Sequence, residues 1–434
     1  MLSPFRRRLV AFDQFTNSQR VGLAMAVAGD RGGAARGIDA NVGPDHSGGN
    51  LHRGYLAECD AFLTAAEQAG FHPAHMLEAR EAVRKLKQYQ PPLGDRSGLR
   101  LDFNENTGGC SPRVMERLRQ LQPEQLACYP EREPVEREVA SFLGLPPEQV
   151  LLTNGVDEAI HLVCETYLEP DDDALIVVPT FAMYQICVAA TGARVVSIPA
   201  EKDFRFPTST VMSYTTTPKT RLIAIANPNN PTGAVASVED LLLIARSAPQ
   251  AAVLVDEAYF EFHGESLLEY AGQVRNLFIA RTFSKAYGMA SLRVGVLAGA
   301  AEQIQSLRRA CSPYNVNGVA LACLPAALAD QEYVRGYVSE VRWSRNRLEE
   351  EFQVLGIPFW PSQGNFVLAR IGPAHAEFVR GMRARGILVR DRSSDFACDG
   401  CVRITAGWRE HTEQMLSALH ETLKEIGWGE RKPA

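Results

Sequence analysis

Two reactive residues of this 434-residue sequence, a lysine and an aspartate, stand at the ends of predicted buried strands. Lys285 comes shortly after the apolar run from Asn276 to Ala280, and Asp256 directly follows the run from Ala251 to Val255. A lysine amine can bond to a carbonyl carbon or act as a general base, and a carboxylate can hold a proton on a neighbouring ring. Singly, each has a structural explanation, because lysines are mostly solvated and strand-end aspartates often cap helices. Their positions after consecutive runs point to one reactive site.

The elements that must position these residues are short apolar runs that alternate with amphipathic helical patterns from Leu101 onward. This alternation is typical of an α/β protein with a mainly parallel sheet, and near-continuous apolar runs are expected of strands covered on both faces. A capping-box pattern of Ser237 with Asp240 predicts a helix start between two runs. The predicted strands are 150–153, 174–178, 194–198, 221–226, 251–255, 276–280 and 293–298.

Polar residues follow most of these runs. In open α/β sheets, ligands bind beyond the carboxyl ends of the strands, so these residues are expected to converge on one edge. The segments are Asn154-Gly155-Val156-Asp157-Glu158, Pro179-Thr180-Phe181, Asn227-Pro228-Asn229-Asn230-Pro231-Thr232-Gly233, Asp256-Glu257-Ala258-Tyr259 and Thr282-Phe283-Ser284-Lys285.

The residue types on this edge meet the requirements of one cofactor, pyridoxal 5'-phosphate (PLP). That cofactor needs a lysine amine for its aldehyde and an acid beside its pyridine nitrogen, which Lys285 and Asp256 can supply. It also needs donors to its phenolic oxygen, a flat side chain against its ring and a phosphate cup at a helix start. The other expected cofactor contacts are Asn230, Tyr259, Phe181, Gly155, Val156, Asp157, Thr282, Ser284 and Arg293. Asn230 as a turn residue and Phe181 as a core residue are the simpler alternatives.

The motifs NPNNPTG, VDEAY and TFSKAYGMASLRVG, in this order, resemble the class I/II aminotransferases of PLP fold type I. The resemblance runs from about Met76 to about Leu423. LDFNENTGGCSP, YPERE, NGVDEAIH, PTFAMY, SPYNVN, GILVRDRS and CVRITAG narrow it to the histidinol-phosphate aminotransferase branch. It implies a large domain, with a mainly parallel central sheet flanked by helices, and a smaller α+β domain. The expected boundaries are residues 1–75 (a flexible extension), 76–120 (an arm and part of the small domain), 121–312 (the large PLP-binding domain) and 313–434 (the small domain).

The resemblance also implies roles for individual residues. Lys285, Asp256 and Tyr259 are the implied catalytic residues. Tyr129, in YPERE, would reach the cofactor phosphate of a partner subunit, which implies a homodimer. The implied substrate-binding residues are Tyr89 in QYQPP, Asn104 in LDFNENTGGCSP, Arg390 in GILVRDRS and Arg403 in CVRIT. Two guanidinium groups suit a dianionic phosphate because charge-assisted bidentate bonds supply both orientation and energy.

Four positions depart from the family pattern. Phe181 stands where tyrosine is usual, Ser291 and Gly364 stand where glycine and alanine are usual, and Trp408 lies in an otherwise smaller turn. A ring stack survives the exchange of tyrosine for phenylalanine. Trp408 is close in sequence to Arg403, so it could reshape the substrate pocket.

The activity implied by the resemblance is transamination between histidinol phosphate plus 2-oxoglutarate and imidazole-acetol phosphate plus glutamate, in histidine biosynthesis. Because fold does not determine function, two other PLP reactions stay open: transamination of aromatic amino acids and decarboxylation of a phosphorylated amino acid. A non-enzymatic PLP-binding regulatory protein is a more distant alternative. Lys285, Asp256 and Arg403 together argue against it.

Composition limits the partners and the compartment. A formal net charge of -6 provides no general attraction to nucleic acid or anionic membranes, and no apolar stretch approaches the roughly 18 residues of a spanning helix. The 9 cysteines are irregularly spaced, which favours a reducing, cytoplasmic setting. Cys398 and Cys401 form a CxxC pair without a second pair at zinc-site spacing, so we expect two ordinary thiols and no metal.

The first 75 residues are a different kind of sequence, rich in Gly and Arg and without sustained periodicity. We interpret them as a flexible extension that is dispensable for folding, dimerisation and turnover. Arg6, Arg7 and Arg8 before the run from Val21 to Ala28 mimic a secretory signal, but that run is short and contains Gly22. A translation start at Met76 is the alternative that we favour.

Overall fold

The computed structural model describes residues 78–88, 90, 94 and 96–429 of the chain. The chain forms two compact units, Met1–Arg84 and Lys85–Ala434. In the first unit the description starts at residue 78 and includes the short helix α1 (Glu81–Arg84). The predictions for residues 1–75 and for Tyr89 lie outside the described residues. The second unit contains the remaining elements.

A seven-stranded sheet lies at the centre of the second unit. Its strand order is β2-β8-β7-β6-β5-β3-β4, and β8 is antiparallel to both of its neighbours while the other pairs are parallel. This confirms the predicted α/β class with a mainly parallel sheet. The strands are β2 (Val150–Thr153), β3 (Asp173–Val178), β4 (Arg194–Pro199), β5 (Thr220–Ala226), β6 (Ala252–Asp256), β7 (Leu277–Thr282) and β8 (Gly295–Gly299).

Helices cover both faces of this sheet and bury its central strands, whereas the edge strand β4 is largely exposed. On one face, Val156 and Ile160 of the helix after β2 belong to the same apolar cluster as Ile176. On the other face, Leu241 packs in a cluster with Ile223 of β5. The helices from residue 112 to 310 are α2 (Pro112–Arg119), α3 (Pro123–Ala127), α4 (Glu133–Leu143), α5 (Gly155–Tyr167), α6 (Met183–Thr191), α7 (Thr208–Tyr214), α8 (Val238–Ser247), α9 (Phe260–His263) and α10 (Ala301–Ala310).

The start of α8 shows how local sequence sets these boundaries. Ser237 is the N-cap, and its Oγ accepts a hydrogen bond from the backbone N–H of Asp240 at 3.1 Å. This contact satisfies one of the N–H groups that a helix start leaves without an internal partner. The predicted capping position is confirmed.

A second, antiparallel sheet has the order β12-β13-β10-β9. Its strands are β9 (Phe359–Trp360), β10 (Phe366–Arg370), β12 (Arg390–Asp391) and β13 (Cys401–Thr405), and a separate parallel pair joins β1 (Leu99–Arg100) to β11 (Ile387–Leu388). The helices that follow residue 310 are α11 (Gly318–Leu328), α12 (Gln331–Val354), α13 (His375–Ala384) and α14 (Arg409–Glu425). Short 3-10 turns lie at Pro147–Gln149, Lys202–Phe204, Leu268–Tyr270, Ala290–Leu292 and Gly372–Ala374. In the described part of the chain, no helix is both long and apolar enough to cross a membrane.

Candidate active site

A cavity of about 480 Å³ lies where the carboxyl ends of the central strands meet the antiparallel sheet. This is a typical size for a small-molecule site. Most of the residues predicted from sequence line it: Asn104, Val156, Asp157, Phe181, Asn230, Asp256, Tyr259, Thr282, Ser284, Lys285, Arg293, Arg390 and Arg403. The structure therefore brings together residues that are far apart in the sequence.

A second cavity is larger, at about 1070 Å³. Among the residues that the structure describes, Thr282 is the only one that lines both cavities. It contains neither Lys285 nor Asp256, and its walls are formed largely by α12 and by residues near Phe260. Convergent reactive groups identify a site better than volume does, so the smaller cavity is the candidate active site.

Lys285 places its amine inside the candidate site. Its Nζ donates a hydrogen bond to the backbone oxygen of Phe103 at 2.9 Å and lies 5.9 Å from the centre of the Tyr259 ring. Burial, reinforced by the positive charge of Arg403, lowers the pKa of Lys285 to about 8. A fraction of this amine is therefore neutral and nucleophilic near physiological pH.

Asp256 ends β6, and the residue is 5% exposed. Its Oδ1 accepts from the backbone N–H of Ala258 at 2.9 Å, and its Oδ2 accepts from the phenol of Tyr184. Burial raises the pKa of Asp256 to about 6, and the two hydrogen bonds oppose that rise. Both hydrogen-bond donors to the buried Asp256 carboxylate are therefore neutral groups. A positively charged ring nitrogen beside the carboxylate would stabilise its ionised form.

Tyr259 and Asn104 form a buried pair beside the lysine. The Asn104 Nδ2 donates to the Tyr259 Oη at 2.9 Å, and the Asn104 N–H donates to the Thr405 Oγ1 at 3.1 Å. The φ of Asn104 is 55°, a left-handed conformation that asparagine tolerates better than most residues. These contacts connect the antiparallel sheet to the loop after β6.

The start of α5 forms a cup with the segment after β7. Gly155, the first residue of α5, has a φ of 75°, and a Cβ placed on it would lie 2.7 Å from the Arg293 Nη2. That guanidinium group contacts the Asp157 Oδ2 at 2.9 Å. Within the described structure, the buried Oγ of Ser284 has no hydrogen-bond partner, while its N–H donates to the Thr282 Oγ1 at 3.1 Å. The first turn of α5, a cation and a hydroxyl therefore line one cavity.

The two arginines predicted to bind substrate lie side by side. Arg390 of β12 is directly opposite Arg403 of β13 in the register of the antiparallel sheet. The Arg403 Nη2 donates to the backbone oxygen of Asp102 at 2.6 Å, and its Nη1 donates to the Oδ1 of Asn230. The guanidinium carbon of Arg390 lies 5.5 Å from the centre of the Phe103 ring. Both side chains present positive charge to the cavity.

Tyr129 does not line this cavity. It is 79% exposed, and its ring stacks at 4.4 Å on that of Tyr314, which is 53% exposed. Two adjacent exposed aromatic rings form an uncovered apolar surface in the single chain.

The sequence interpretation missed several lining residues. Tyr184 lies in the quoted PTFAMY motif, so its proximity to Phe181 was a usable signal. Arg392 follows Arg390 at the strand spacing of two, which places both on one face. Arg100, Phe103 and Glu105 also line the cavity. Phe103 and Glu105 lie in the quoted LDFNENTGGCSP motif, whereas no quoted motif contains Arg100.

The positions that depart from the family pattern divide between the cavity and the core. Phe181 and Ser291 line the cavity. Trp408 does not line it; a Cβ on Gly108 would lie 1.7 Å from the Trp408 Nε1, so the indole fills space beside that glycine. A Cβ on Gly364 would lie 2.5 Å from the Phe366 ring. Trp408 and Gly364 are therefore packing features.

The CxxC pair forms a buried turn outside the cavity. The Cys401 N–H donates to the backbone oxygen of Cys398 at 2.8 Å, and both side chains are buried. No group of three or more potential metal ligands occurs among the residues that the structure describes.

Comparison with known proteins gives the family. Residues 96–422 match the profile of the family described as aminotransferase class I and II. A histidinol-phosphate aminotransferase of Symbiobacterium thermophilum is 36% identical over 366 residues, covering 81% of this chain and 100% of the relative. The chain belongs to the class I and II aminotransferases.

Other relatives of this aminotransferase support the same family assignment. A histidinol-phosphate aminotransferase of Moorella thermoacetica is 33% identical over 364 residues, covering 80% of this chain and 93% of the relative. The crystal structure of histidinol-phosphate aminotransferase from Sinorhizobium meliloti in complex with pyridoxal-5'-phosphate has a TM-score of 0.74 at 23% identity, covering 82% of this chain and 100% of that one.

A mutant aspartate aminotransferase of Thermus thermophilus has a TM-score of 0.69 at 22% identity, covering 80% of this chain and 100% of that chain. At these identities the structural matches confirm the PLP type I fold of this aminotransferase. They do not distinguish one substrate from another.

Proposed function

We propose that this aminotransferase uses PLP to interconvert histidinol phosphate plus 2-oxoglutarate with imidazole-acetol phosphate plus glutamate. The observation that carries the proposal is the single cavity shared by a half-buried Lys285 amine, a buried Asp256 carboxylate and the facing arginines Arg390 and Arg403. In a cell, histidine synthesis would run the reaction from the ketone to the amine.

The residues fit the cofactor in three independent respects. The Asp256 carboxylate is buried with neutral donors, so a protonated ring nitrogen would complete its interactions. The Ser284 hydroxyl is buried without a partner in the described structure, and a phosphate oxygen would supply one. Gly155 leaves room for an anion at the start of α5, where backbone N–H groups and Arg293 add positive potential.

Bound PLP would supply an aldehyde that condenses with amines and a ring that accepts electron density from the α-carbon. Lys285 would hold the cofactor, then remove the α-proton of the substrate through its Nζ and return a proton to the cofactor side. Asp256 would keep the proton on the ring nitrogen. Asn230 and Tyr259 would orient the phenolic oxygen, Phe181 would cover one ring face, and Val156 and Thr282 would border the phosphate side.

Arg390 and Arg403 are proposed to bind the acidic ends of both substrates, with Asn104 beside them and Tyr89 closing the site. The same arginines would bind the carboxylates of 2-oxoglutarate in the second half-reaction, so ping-pong kinetics are expected. The exposed Tyr129 and Tyr314 support a homodimer in which a second copy covers this surface. We also propose a cytoplasmic location and a division into a large domain (121–312) and a small domain (313–434).

The test is the turnover of the purified protein with histidinol phosphate, phenylalanine, tyrosine and phosphothreonine as amino donors. We expect histidinol phosphate to have the highest kcat/KM. Arg390→Ala should raise KM for histidinol phosphate much more than KM for phenylalanine, because it removes a charge-assisted contact to the phosphate. Equal losses on both donors would indicate an aromatic aminotransferase instead, and release of carbon dioxide from phosphothreonine would indicate a decarboxylase.

A further inference from the structure

One face of the antiparallel sheet carries four arginines. Arg390 is directly opposite Arg403, and Arg403 is opposite Leu368 of β10, two residues before Arg370. Residues that are opposite in an antiparallel pair, or two apart in one strand, share a face. Arg392 continues this face beyond β12, because its N–H donates to the backbone oxygen of Cys401 at 2.9 Å. Of the four, only Arg370 does not line the cavity.

Arg392 is the arginine for which sequence and family resemblance supply no role. Its side chain is 11% exposed and forms an ion pair with Asp395 through its Nη2. Its Nε is buried, and within the described structure it has no hydrogen-bond partner. A buried donor without an acceptor destabilises the unliganded site, so Arg392, which lines the cavity, gains when a ligand supplies an acceptor.

The charge around Arg392 favours a dianion over a monoanion. Asp395 is the carboxylate that interacts with Arg390, Arg392 and Arg403 together. Burial raises the pKa of Asp395, and the three guanidinium groups oppose that rise. The cavity lining has six basic residues against three acidic ones, and Asp395 adds one more acid, so an excess of positive charge remains. A phosphate monoester, doubly charged above its second pKa of about 6, can balance this excess.

We propose that Arg392 is a specificity-determining residue of this aminotransferase: it forms a third guanidinium contact to the phosphate of the amino donor, and Asp395 holds it in position. The proposal rests on the proposed function, because it concerns the phosphate end of the same substrate. It adds a residue that discriminates between phosphorylated and phosphate-free donors. Asp395 pairs with Arg392 and does not line the cavity itself, so it is a positioning residue.

The experiment measures binding of two simple anions to the cofactor-loaded protein by calorimetry. Methyl phosphate is the dianion and acetate is the monoanion. The variants are Arg392→Gln, Arg392→Lys and the matched control Arg370→Gln, which changes an arginine on the same sheet face outside the cavity. We expect Arg392→Gln to weaken methyl phosphate binding about ten-fold and acetate binding less than about two-fold. Arg392→Lys should recover part of the loss, and Arg370→Gln should bind both anions like the unaltered protein.

Two results would overturn the proposal. In one, Arg392→Gln binds methyl phosphate as tightly as Arg370→Gln does; in the other, it loses methyl phosphate and acetate equally, which would indicate general damage to the site. Melting temperatures of all variants identify such damage independently. Failure of the proposed function would give a different result. The unaltered protein would then turn over histidinol phosphate no better than phenylalanine, independently of how the variants bind methyl phosphate and acetate.

Discussion

The phenol of Tyr184, on α6, donates its hydrogen bond to the carboxylate of Asp256, at the end of β6. This bond joins a helix to the strand end that carries the acid of the candidate site. It also lowers the pKa of Asp256 against the effect of burial. The ionisation of the acid therefore depends on a residue that need not touch substrate.

Tyr184→Phe should shift the acid limb of the kcat profile to higher pH. Removing the donor raises the pKa of Asp256, so a higher pH is needed to ionise it; hydrogen bonds to charged groups contribute about 1.5 to 3 kcal/mol, which corresponds to about one pH unit or more. The matched control is Tyr167→Phe, which removes a phenol bonded to Gln303 outside the cavity. Identical pH profiles for the two variants would contradict the prediction.

Asp256→Asn should reduce kcat by orders of magnitude while the protein still binds PLP, because a neutral amide does not hold the proton on the ring nitrogen. The control is Asp173→Asn, at the opposite end of the sheet, where the carboxylate is paired with Arg194 at 2.6 Å. That change should lower the melting temperature but leave kcat unchanged. Near-normal turnover of Asp256→Asn would mean that the acid has been misassigned.

Lys285 should react at lower pH than an ordinary lysine. Burial and Arg403 lower its pKa to about 8, so PLP uptake by the cofactor-free protein should increase with pH around a midpoint near 8. Arg403→Gln should move this midpoint upward, because the loss of a nearby cation favours the protonated amine. Borohydride reduction of the loaded protein, followed by peptide mapping, should place the label on Lys285. A midpoint unaffected by Arg403→Gln would contradict the electrostatic part of this prediction.

Gly155→Ala should weaken PLP binding. The φ of 75° and the proximity of the Arg293 guanidinium both oppose a Cβ there. Gly144→Ala is a close control, since Gly144 has a φ of 70° but nothing within 4 Å of its would-be Cβ. Both variants should lose about 1 to 2 kcal/mol of stability from the left-handed backbone, but only Gly155→Ala should raise the Kd for PLP. Equal PLP affinity in the two would show that no phosphate lies at Gly155.

The sequence was most informative where strand ends carry the chemistry. Asp256 and Lys285 follow apolar runs whose boundaries the structure reproduces within two residues, because buried parallel strands leave a near-continuous apolar signal. Ser237 was recognisable from side-chain chemistry alone. The contact of Arg390 with Phe103 was not, because it depends on how β12 lies beside a segment almost 300 residues earlier. Long-range packing of this kind has no local signature.

The pairing of β6 with β7 places Val255 beside Ile279 and Asp256 beside Ala280. The acid and the segment leading to the lysine therefore come from separate strands that share one ladder of hydrogen bonds. A single inserted residue within β6 would turn Asp256 to the opposite face of the sheet, although every site residue would still be present. The same insertion near Asp171, in the turn before β3, would lengthen a loop at the far edge, at a small cost in loop-closure entropy. Tolerance to insertion should thus differ sharply between the two ends of this sheet.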